Sequence, residues 1–334
     1  MSKYKIASLF AGIGGIDYGF EYAGAKSIWA NEIDKYCALT FNLNHKDVHL
    51  IVDDICNIKG KDIPKVDILT GGFPCQPFSI AGYRKGFEDD RGNMFFQIMR
   101  IVKEMSENAN KARVIFLENV KNLKTHDKGN TFAVIKNKLE EAGYIVTEKI
   151  LNTCEYGNLP QNRERIFIVG FLNENDFNNF KWPEKVKLTN TIDKVVDWNA
   201  DVDKKYFYEA DKKCYELLKE NIKEKNVIYQ YRRVYVRENK GGVCPTLTAN
   251  MGMGGHNVPL IIDNKNKIRK LLPMECLKLQ GFPNDFKIPK ELCDSRVYKQ
   301  AGNAVSVKVI ERVAKQIINA MEETDNEIDW LWYC

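Results

Sequence analysis

The sequence contains no long apolar run, and no segment approaches the roughly 18 apolar residues of a membrane-spanning helix. Its nine cysteines include no C-x-x-C pair and no closely spaced even set, which argues against a structural zinc site and a disulfide framework. The N-terminus, Met1 to Lys5, leads straight into a predicted strand and has no signal-peptide core. We therefore expect a cytoplasmic protein with reduced thiols, no membrane contact and no metal.

The sequence also has little excess charge of either sign. Its 334 residues carry a formal net charge of +5, which permits a polyanionic partner but does not require one. Hydrophobic residues make up 44% and charged residues 28%, as in ordinary globular proteins, and no repeat or low-complexity segment is present. The length suits one large and one small domain.

Predicted strands and helices alternate over the first half of the chain. Strands are expected at residues 6–10, 26–30, 49–52, 66–69, 114–117, 144–151 and 165–171. Helices are expected to end near residues 23 and 43 and to cover residues 131–142. This alternation predicts an α/β fold with a doubly wound, mostly parallel, Rossmann-like sheet of seven strands.

The pattern changes from about Asn173, where Asn and Lys become frequent. A charged helix is expected at residues 211–225 and a strand-like run at 229–237. A final helix at 305–321 should pack back on the first domain. The predicted domains are residues 1–175 with 300–334, and a smaller domain of residues 176–299.

A glycine-rich turn follows the first strand and contains the cofactor-binding candidates Phe10, Ala11, Gly12, Gly14 and Gly15. On its own, such a turn serves dinucleotides, phosphates or plain tight packing of a helix on a strand. The residues at the ends of the next strands distinguish between these uses.

Acidic residues at the next strand ends favour a nucleoside ligand. Glu32 comes about 20 residues after Gly12, where a carboxylate can accept both ribose hydroxyls. Asp54 and Ile55 suit an adenine, through a hydrogen bond and an apolar contact, whereas Asp17 near the helix N-terminus would repel a pyrophosphate. The pattern favours S-adenosylmethionine over a dinucleotide, and solvated strand ends are the plainer alternative.

Cys75 lies between Pro74 and Pro77, just after the pair Gly71-Gly72 and the predicted strand at 66–69. Glycines permit a sharp turn, and the prolines fix φ on either side of the thiol. The thiol would therefore lie beyond the carboxyl end of a parallel strand, where open α/β sheets bind ligands. This placement suits a nucleophile, whereas a cysteine considered alone is more often structural.

Six segments in order extend this pattern along the chain. They are residues 10–15 (FAGIGG), 72–76 (GFPCQ), 118–120 (ENV), 161–165 (QNRER), 269–283 with its Glu-Cys and Gln-Gly-Phe-Pro, and 302–305 (GNAV). In sequence and order they resemble the motifs of the cytosine-5 DNA methyltransferases. The chain departs from that family at Ile33, where an aromatic residue often follows the ribose-binding glutamate.

The resemblance implies a covalent mechanism. Cys75 would add to carbon 6 of cytosine while Glu118, expected at the end of the fifth strand, acts as an acid at the ring nitrogen. Arg163 and Arg165 would hold the cytosine carbonyl oxygen. Without the family, Glu118 could simply cap a helix, and Arg165 could form a structural salt bridge.

The resemblance also implies the cofactor and its contacts. S-Adenosylmethionine would bind the glycine-rich turn, Glu32, Ile33, Asp54 and Ile55, and also Pro74, Asn303 and Ala304. S-Adenosylhomocysteine would be the product, and no metal is needed.

Double-stranded DNA is the partner that the resemblance implies, with the target cytosine flipped out of the helix. Residues 79–93 would close over the DNA, with contacts from Ser79, Arg84 and Arg91. Base reading falls to the second domain, with the candidates Arg232, Arg233, Arg237, Thr246, Thr248, Asn250 and His256. His256 also suits a purely structural hydrogen bond.

Three alternatives stay open from the sequence. The tRNA cytosine-5 methyltransferases generally carry Pro-Pro-Cys and Cys-Phe-Thr, whereas Phe73 precedes Pro74 here and Cys-Phe-Thr is absent. A non-catalytic, sequence-specific DNA-binding protein would not need Cys75, and the turn spacing disfavours a dinucleotide oxidoreductase. We expect a monomeric enzyme of a bacterial restriction-modification system, with a cognate endonuclease that need not contact it.

Overall fold

The computed structural model describes residues 3–73, 94–239, 241–251 and 257–333. The chain divides into two compact units. The first comprises Met1–Leu151, Glu164–Glu184 and Val309–Cys334, and the second comprises Asn152–Arg163 and Lys185–Lys308. Within the described residues, no helix is both long and apolar enough to cross a bilayer. The assignment of catalysis and DNA recognition to separate domains stays a prediction.

A seven-stranded sheet forms the centre of the first unit. Its strands are β1 (Lys5–Leu9), β2 (Lys26–Glu32), β3 (His49–Val52), β4 (Ile68–Gly72), β5 (Val114–Val120), β6 (Ile145–Asn152) and β8 (Glu164–Phe171), while the short β7 (Gln161–Asn162) belongs to the second unit. Their order is β3-β2-β1-β4-β5-β8-β6, with parallel pairing from β3 to β5 and antiparallel pairing between β5 and β8. The predicted mostly parallel seven-strand sheet is confirmed.

Helices alternate with these strands. They are α1 (Gly15–Tyr22), α2 (Lys35–Asn44), α3 (Met94–Glu107) and α4 (Asn130–Glu141). In α3 the buried residues Phe95, Ile98, Val102 and Met105 recur at helical spacing, so they form one apolar face. That face joins a core cluster that includes the strand residue Ile115, and burial of this face holds the helix on the sheet.

The last helix packs on the first unit, as the sequence predicts. The remaining helices are α5 (Thr153–Tyr156), α6 (Glu174–Asn179), α7 (Tyr215–Asn221), α8 (Pro273–Leu279), α9 (Asp294–Asn303) and α10 (Val307–Tyr333). A β-carbon on Gly19 of α1 would lie 2.4 Å from Cγ2 of Ile310 in α10. The missing side chain therefore lets the two helices approach closely. Helix α10 continues to Tyr333, twelve residues beyond its predicted end at residue 321.

Two boundaries near the predicted nucleophile differ from the sequence expectation. Gly71 and Gly72 lie inside β4 rather than in a turn, because they pair with Leu117 and Glu118 of β5. Glu118 accordingly lies within β5 and not after it. The position of a β-carbon on Gly72 would lie 3.6 Å from Oε2 of Glu118, in ordinary van der Waals contact, so Gly72 lies directly beside the Glu118 carboxylate.

The second unit contains a smaller antiparallel sheet. Its strands are β9 (Ile228–Tyr231), β10 (Val236–Asn239), β12 (Pro259–Ile262) and β13 (Ile268–Lys270), in the order β10-β9-β12-β13, while β11 (Cys244–Pro245) pairs with β7. The single strand expected at 229–237 is wrong, because the chain reverses at Arg233, whose φ is 67°. The helix expected at 211–225 is only Tyr215–Asn221, with Leu218 as its buried residue. The helix ends before Ile222, which has an extended backbone, is 2% exposed and belongs to the same apolar cluster as Leu218.

Candidate active site

The glycine-rich turn between β1 and α1 contains three left-handed residues, Phe10, Gly12 and Gly14, with φ of 54°, 59° and 84°. Its glycines serve different purposes. No described atom lies within 4 Å of the position that a β-carbon on Gly12 would take, so this face of the turn is open. A β-carbon on Gly14 would lie only 2.1 Å from Nε2 of His45. Gly12 thus leaves room for a ligand, whereas Gly14 leaves room for the protein's own imidazole.

Glu32 and Gly12, two of the predicted cofactor contacts, lie next to each other in the structure. Oε2 of Glu32 accepts a hydrogen bond from the Gly12 N–H at 2.8 Å, and Oε1 accepts one from the Asp34 N–H at 2.7 Å. Burial raises the pKa of Glu32, and these two backbone donors oppose that rise. Since a carboxylate oxygen can accept more than one hydrogen bond, both oxygens keep capacity for ribose hydroxyls.

Asp54 and Ile55 follow β3, which pairs with β2 up to Glu32 and Val52. Oδ1 of Asp54 accepts a hydrogen bond from the Cys56 N–H at 2.9 Å and so caps the short 3₁₀-helix Ile55–Asn57. The Ile55 side chain belongs to the core and is 3% exposed, whereas Ile33 next to Glu32 is 62% exposed. The apolar side chains that this edge presents to solvent include Ile33 and Val52, which is 49% exposed, but not Ile55.

Asp17 is buried, and its carboxylate contacts strand residues rather than the surface of the turn. Oδ1 accepts hydrogen bonds from the hydroxyls of Ser8 at 2.8 Å and Ser27 at 2.6 Å. Burial raises its pKa, and nearby His45 opposes that rise. The sequence predicts that Asp17 is a charge that faces a ligand at the helix N-terminus, whereas the structure buries it, and its carboxylate joins β1 to β2.

A second group of candidates lies where β4 and β5 run side by side. Nε of Arg165, on β8, lies 3.1 Å from Oε1 of Glu118, and only 10% of the Glu118 side chain is exposed. Nδ2 of Asn119 donates a hydrogen bond to the Phe73 carbonyl oxygen at 2.9 Å. Phe73 is the last described residue before the predicted nucleophile, and Pro74, Cys75, Ser79, Arg84, Arg91 and His256 lie outside the described residues.

Sequence comparison decides the family. The family model for C-5 cytosine-specific DNA methylases matches residues 4–319. The chain belongs to this family. The methylase is 52% identical over 320 residues to the type II methyltransferase M.Bsp6I of Bacillus sp. (strain RFL6), covering 95% of this chain and 99% of that one. It is 40% identical over 330 residues to M.HaeII of Haemophilus aegyptius, covering 98% and 97%.

Solved structures share the fold of the methylase. A mutant of Spodoptera frugiperda DNMT2 matches with a TM-score of 0.72 and 21% identity, over 95% of this chain and 100% of that one. The Entamoeba histolytica methyltransferase EhMeth matches with a TM-score of 0.73 and 20% identity, over 96% and 99%. Family membership makes the chain a DNA cytosine-5 methyltransferase, and the family implies S-adenosylmethionine as methyl donor.

Arg163 of the methylase is buried within the second unit. Its guanidinium donates to the carbonyl oxygens of Leu247 at 2.8 Å, Gly302 at 3.2 Å and Ala304 at 2.6 Å. It therefore ties together three backbone positions of that unit, a structural role that the sequence did not suggest. The predicted contact of Arg163 with cytosine, and those of Asn303 and Ala304 with the cofactor, stay predictions.

Several predicted DNA contacts line a groove of about 500 Å³ in the second unit. Its lining includes Asn162, Gln230, Arg232, Arg237, Thr246 and Thr248. Oε1 of Gln230 accepts a hydrogen bond from Nη1 of Arg232 at 3.2 Å. Gln230 is not among the DNA contacts predicted from the sequence. Asn250 is held by the Thr248 hydroxyl at 2.6 Å. Among the described residues no cluster of three or more His, Cys, Asp or Glu side chains could hold a metal.

Proposed function

We propose that the methylase transfers a methyl group to carbon 5 of a cytosine flipped out of a short double-stranded DNA site, through a covalent adduct at Cys75. The observation that carries this is the pairing of Gly72 with Glu118 on adjacent parallel strands. It brings a buried carboxyl, with Arg165 as its partner, beside the strand that leads to Cys75.

Each residue then has a distinct chemical task. The Cys75 thiolate adds to carbon 6, and Glu118 gives a proton to the adjacent ring nitrogen, so carbon 5 becomes nucleophilic. Arg165 orients Glu118 and can donate to the cytosine carbonyl oxygen. S-Adenosylmethionine supplies the electrophilic methyl group. Loss of the carbon 5 proton to a base then expels the Cys75 thiolate, and the ring nitrogen returns its proton to Glu118, which restores the enzyme.

Asn119 supports this arrangement by holding the backbone at Phe73, two residues before Cys75. Its hydrogen bond to the Phe73 carbonyl is buried and links the Glu118 strand to the end of β4. A buried donor that satisfies a buried acceptor stabilises one backbone conformation at that point. We infer that Asn119 orients the segment that carries the nucleophile.

The residues around Gly12 fit the cofactor. Glu32 would accept the ribose hydroxyls, the open face of Gly12 would admit the nucleoside, and exposed Ile33 would cover the adenine. Asp54 would accept from the adenine amino group in addition to capping its 3₁₀-helix. The other glycine-turn residues, Pro74, Asn303 and Ala304 complete the proposed contacts.

The relatives support a proposal for the biological role. Named relatives between 36% and 52% identical, each matched over at least 93% of this chain, are type II methyltransferases. We therefore propose that the enzyme protects host DNA from a cognate endonuclease, acts as a monomer and works in the cytoplasm. The alternative RNA substrate has no comparable support.

The test is methylation of duplex DNA by the purified enzyme with labelled S-adenosylmethionine, followed by nucleoside analysis and bisulfite sequencing. We expect 5-methyldeoxycytidine within one short sequence and no methylation of tRNA run in parallel. Methylation of RNA alone, or of an exocyclic amino group, would contradict the proposal.

A further inference from the structure

We propose that Arg100, on α3, is a positioning residue for the adenine of the bound cofactor, and that it acts through the Ile55 carbonyl. Nη2 of Arg100 donates a hydrogen bond to that carbonyl oxygen at 2.9 Å. Ile55 directly follows Asp54, the residue proposed to accept from the adenine amino group. The inference therefore rests on the proposed function, and it assigns a task to a residue outside the six sequence segments.

The turn that carries Asp54 lies at the edge of the large sheet. It follows β3, which is the outermost strand in the order of the sheet and pairs with β2. The backbone hydrogen bonds within the turn are short-range, from the Asn57 N–H to the Asp54 carbonyl at 2.9 Å and from the Ile58 N–H to the Ile55 carbonyl at 3.2 Å. A surface segment of this kind opens easily unless other elements hold it.

Two side chains from other elements hold this turn, one on each side of Asp54. Nδ2 of Asn31, on β2, donates a hydrogen bond to the Asp53 carbonyl oxygen at 2.8 Å, and Arg100 donates to the Ile55 carbonyl oxygen. The carbonyls that flank Asp54 are thereby both fixed. Since Oδ1 of Asp54 caps the 3₁₀-helix, Oδ2 is the oxygen that can accept from an adenine amino group.

The Arg100 guanidinium is itself held in one orientation. Its Nε donates to Oε1 of Gln97 at 2.8 Å, and its Nη1 donates to Oε1 of Glu104 at 2.7 Å. Oε2 of Glu104 accepts from the Gly60 N–H at 2.6 Å, so the same carboxylate also holds the segment after the turn. Because the guanidinium is planar, these contacts fix the direction in which Nη2 donates.

The attachment of α3 to the sheet has a separate cause. The helix buries an apolar face that includes Phe95, Ile98 and Ile101. This face joins the core cluster that also contains the Ile55 side chain. Burial of several such side chains contributes far more to stability than one hydrogen bond of an arginine whose side chain is 30% exposed. The polar contacts of Arg100 therefore serve the position of the turn.

Two ligands test whether Arg100 acts on the adenine. One is S-adenosylhomocysteine, and the other is its purine analogue, in which hydrogen replaces the 6-amino group. The wild-type enzyme should bind S-adenosylhomocysteine about tenfold more tightly, as expected for one hydrogen bond to a charged group. Arg100→Met keeps the length of the side chain but removes its donors. In calorimetric titrations it should raise the Kd of S-adenosylhomocysteine about tenfold and leave the Kd of the purine analogue nearly unchanged.

Matched variants separate positioning from a general loss of structure. Asp54→Asn keeps an oxygen to cap the 3₁₀-helix and should abolish the same discrimination, so adding Arg100→Met to it should have no further effect. Arg100→Lys keeps one donor and should fall between Arg100→Met and wild type. Lys103→Ala removes a more exposed ion pair of α3, with Glu107, and is the control. At saturating S-adenosylmethionine, Arg100→Met should methylate DNA at the wild-type single-turnover rate.

A purely structural arginine would give a different pattern. An equal rise of both Kd values in Arg100→Met, or no change in either, would overturn the inference. If Arg100→Met does not fold, the same comparison with Arg100→Lys decides. Discrimination that Asp54→Asn abolishes but Arg100→Met retains would overturn the role of Arg100 alone. A wild-type enzyme that binds both ligands equally would contradict the adenine contact proposed for Asp54, and the inference with it.

Discussion

The Arg165 guanidinium and the Glu118 carboxylate face each other on neighbouring strands, with Nε 3.1 Å from Oε1. The antiparallel register pairs Arg165 with Val120 and Ile168 with Leu117, so the two side chains meet near the end of β5. Two largely buried ionic groups at a strand end form a coupled unit, since either one alone would be left without its counter-charge.

Glu118→Gln should lower the methylation rate by about 100-fold to 10,000-fold, because an amide cannot give up a proton to the ring. Arg165→Ala should also be slow, and the double variant should lose much less than the product of both losses, because each group acts through the other. Single-turnover rates at saturating cofactor measure this. Lys121→Ala, which removes a more exposed ion pair with Glu164, is the control. Independent, multiplicative losses would show that the two residues do not act together.

Glu32→Gln should raise the Kd of S-adenosylhomocysteine by about 10-fold to 100-fold, the range for loss of hydrogen bonds to a charged group. The amide has one acceptor oxygen, whereas both Gly12 and Asp34 present N–H donors to the carboxylate. Calorimetric titration measures the change. Glu140→Gln on α4, with its side chain 46% exposed, is the control. Unchanged affinity would remove Glu32 from the cofactor site.

Three glycines allow backbone strain, steric clash and ligand contact to be separated. Gly12, Gly14 and Gly24 all have positive φ, at 59°, 84° and 103°. For Gly12 and Gly24 no described atom lies within 4 Å of an added β-carbon, whereas at Gly14 the His45 ring is in the way. Alanine at Gly12 and at Gly24 should each lower the free energy of unfolding by about 1–2 kcal/mol. Only Gly12→Ala should also weaken cofactor binding.

Gly14→Ala should lower the free energy of unfolding more than Gly24→Ala does, because the β-carbon would lie 2.1 Å from Nε2 of His45. Combining it with His45→Ala should restore part of the difference, since the clash is removed and the strain stays. Urea unfolding of Gly14→Ala, Gly24→Ala, His45→Ala and the Gly14→Ala/His45→Ala double variant measures this. A Gly14→Ala variant as stable as Gly24→Ala would contradict the predicted clash.

The buried carboxyl of Asp17 predicts a pH dependence. Burial raises its pKa in the folded protein, so the folded state binds the proton more tightly than the unfolded state does. Stability should therefore fall as pH rises from the ordinary aspartate pKa, about 3.9, to the raised value, and then level off. Asp17→Asn should lack this component, so its stability relative to wild type should increase with pH across that window. A pH-independent difference in unfolding free energy would contradict this account.

The sequence predicted the mostly parallel seven-strand sheet, because strands that alternate with helices form one. It also named Glu32 and the glycine-rich turn as cofactor contacts, because both lie at strand ends where such sheets bind ligands. It did not predict that Gly71 and Gly72 belong to β4, since two adjacent glycines usually indicate a turn. The pairing of Gly71 with Leu9 and Leu117, and of Gly72 with Glu118, outweighed that local preference.

Other relationships depended on contacts far apart in sequence. His45 behind Gly14 and Arg163 on the Leu247 and Ala304 carbonyls lie many residues from their partners, so no local pattern signals them. The hairpin turn at Arg233 was missed for a related reason, because arginine rarely adopts a positive φ and no glycine or asparagine marks the turn.

The central claim is the covalent adduct at Cys75, and 5-fluorocytosine tests it directly. Fluorine at carbon 5 blocks the loss of a proton that releases the enzyme, so the adduct accumulates. With duplex DNA carrying 5-fluorocytosine at the target and S-adenosylmethionine present, mass spectrometry should show a one-to-one enzyme–DNA complex. Peptide mapping should locate it at Cys75, and Cys75→Ala should give none while still binding DNA. An enzyme that methylates ordinary DNA yet forms no such complex, or forms it at another residue, would contradict the account.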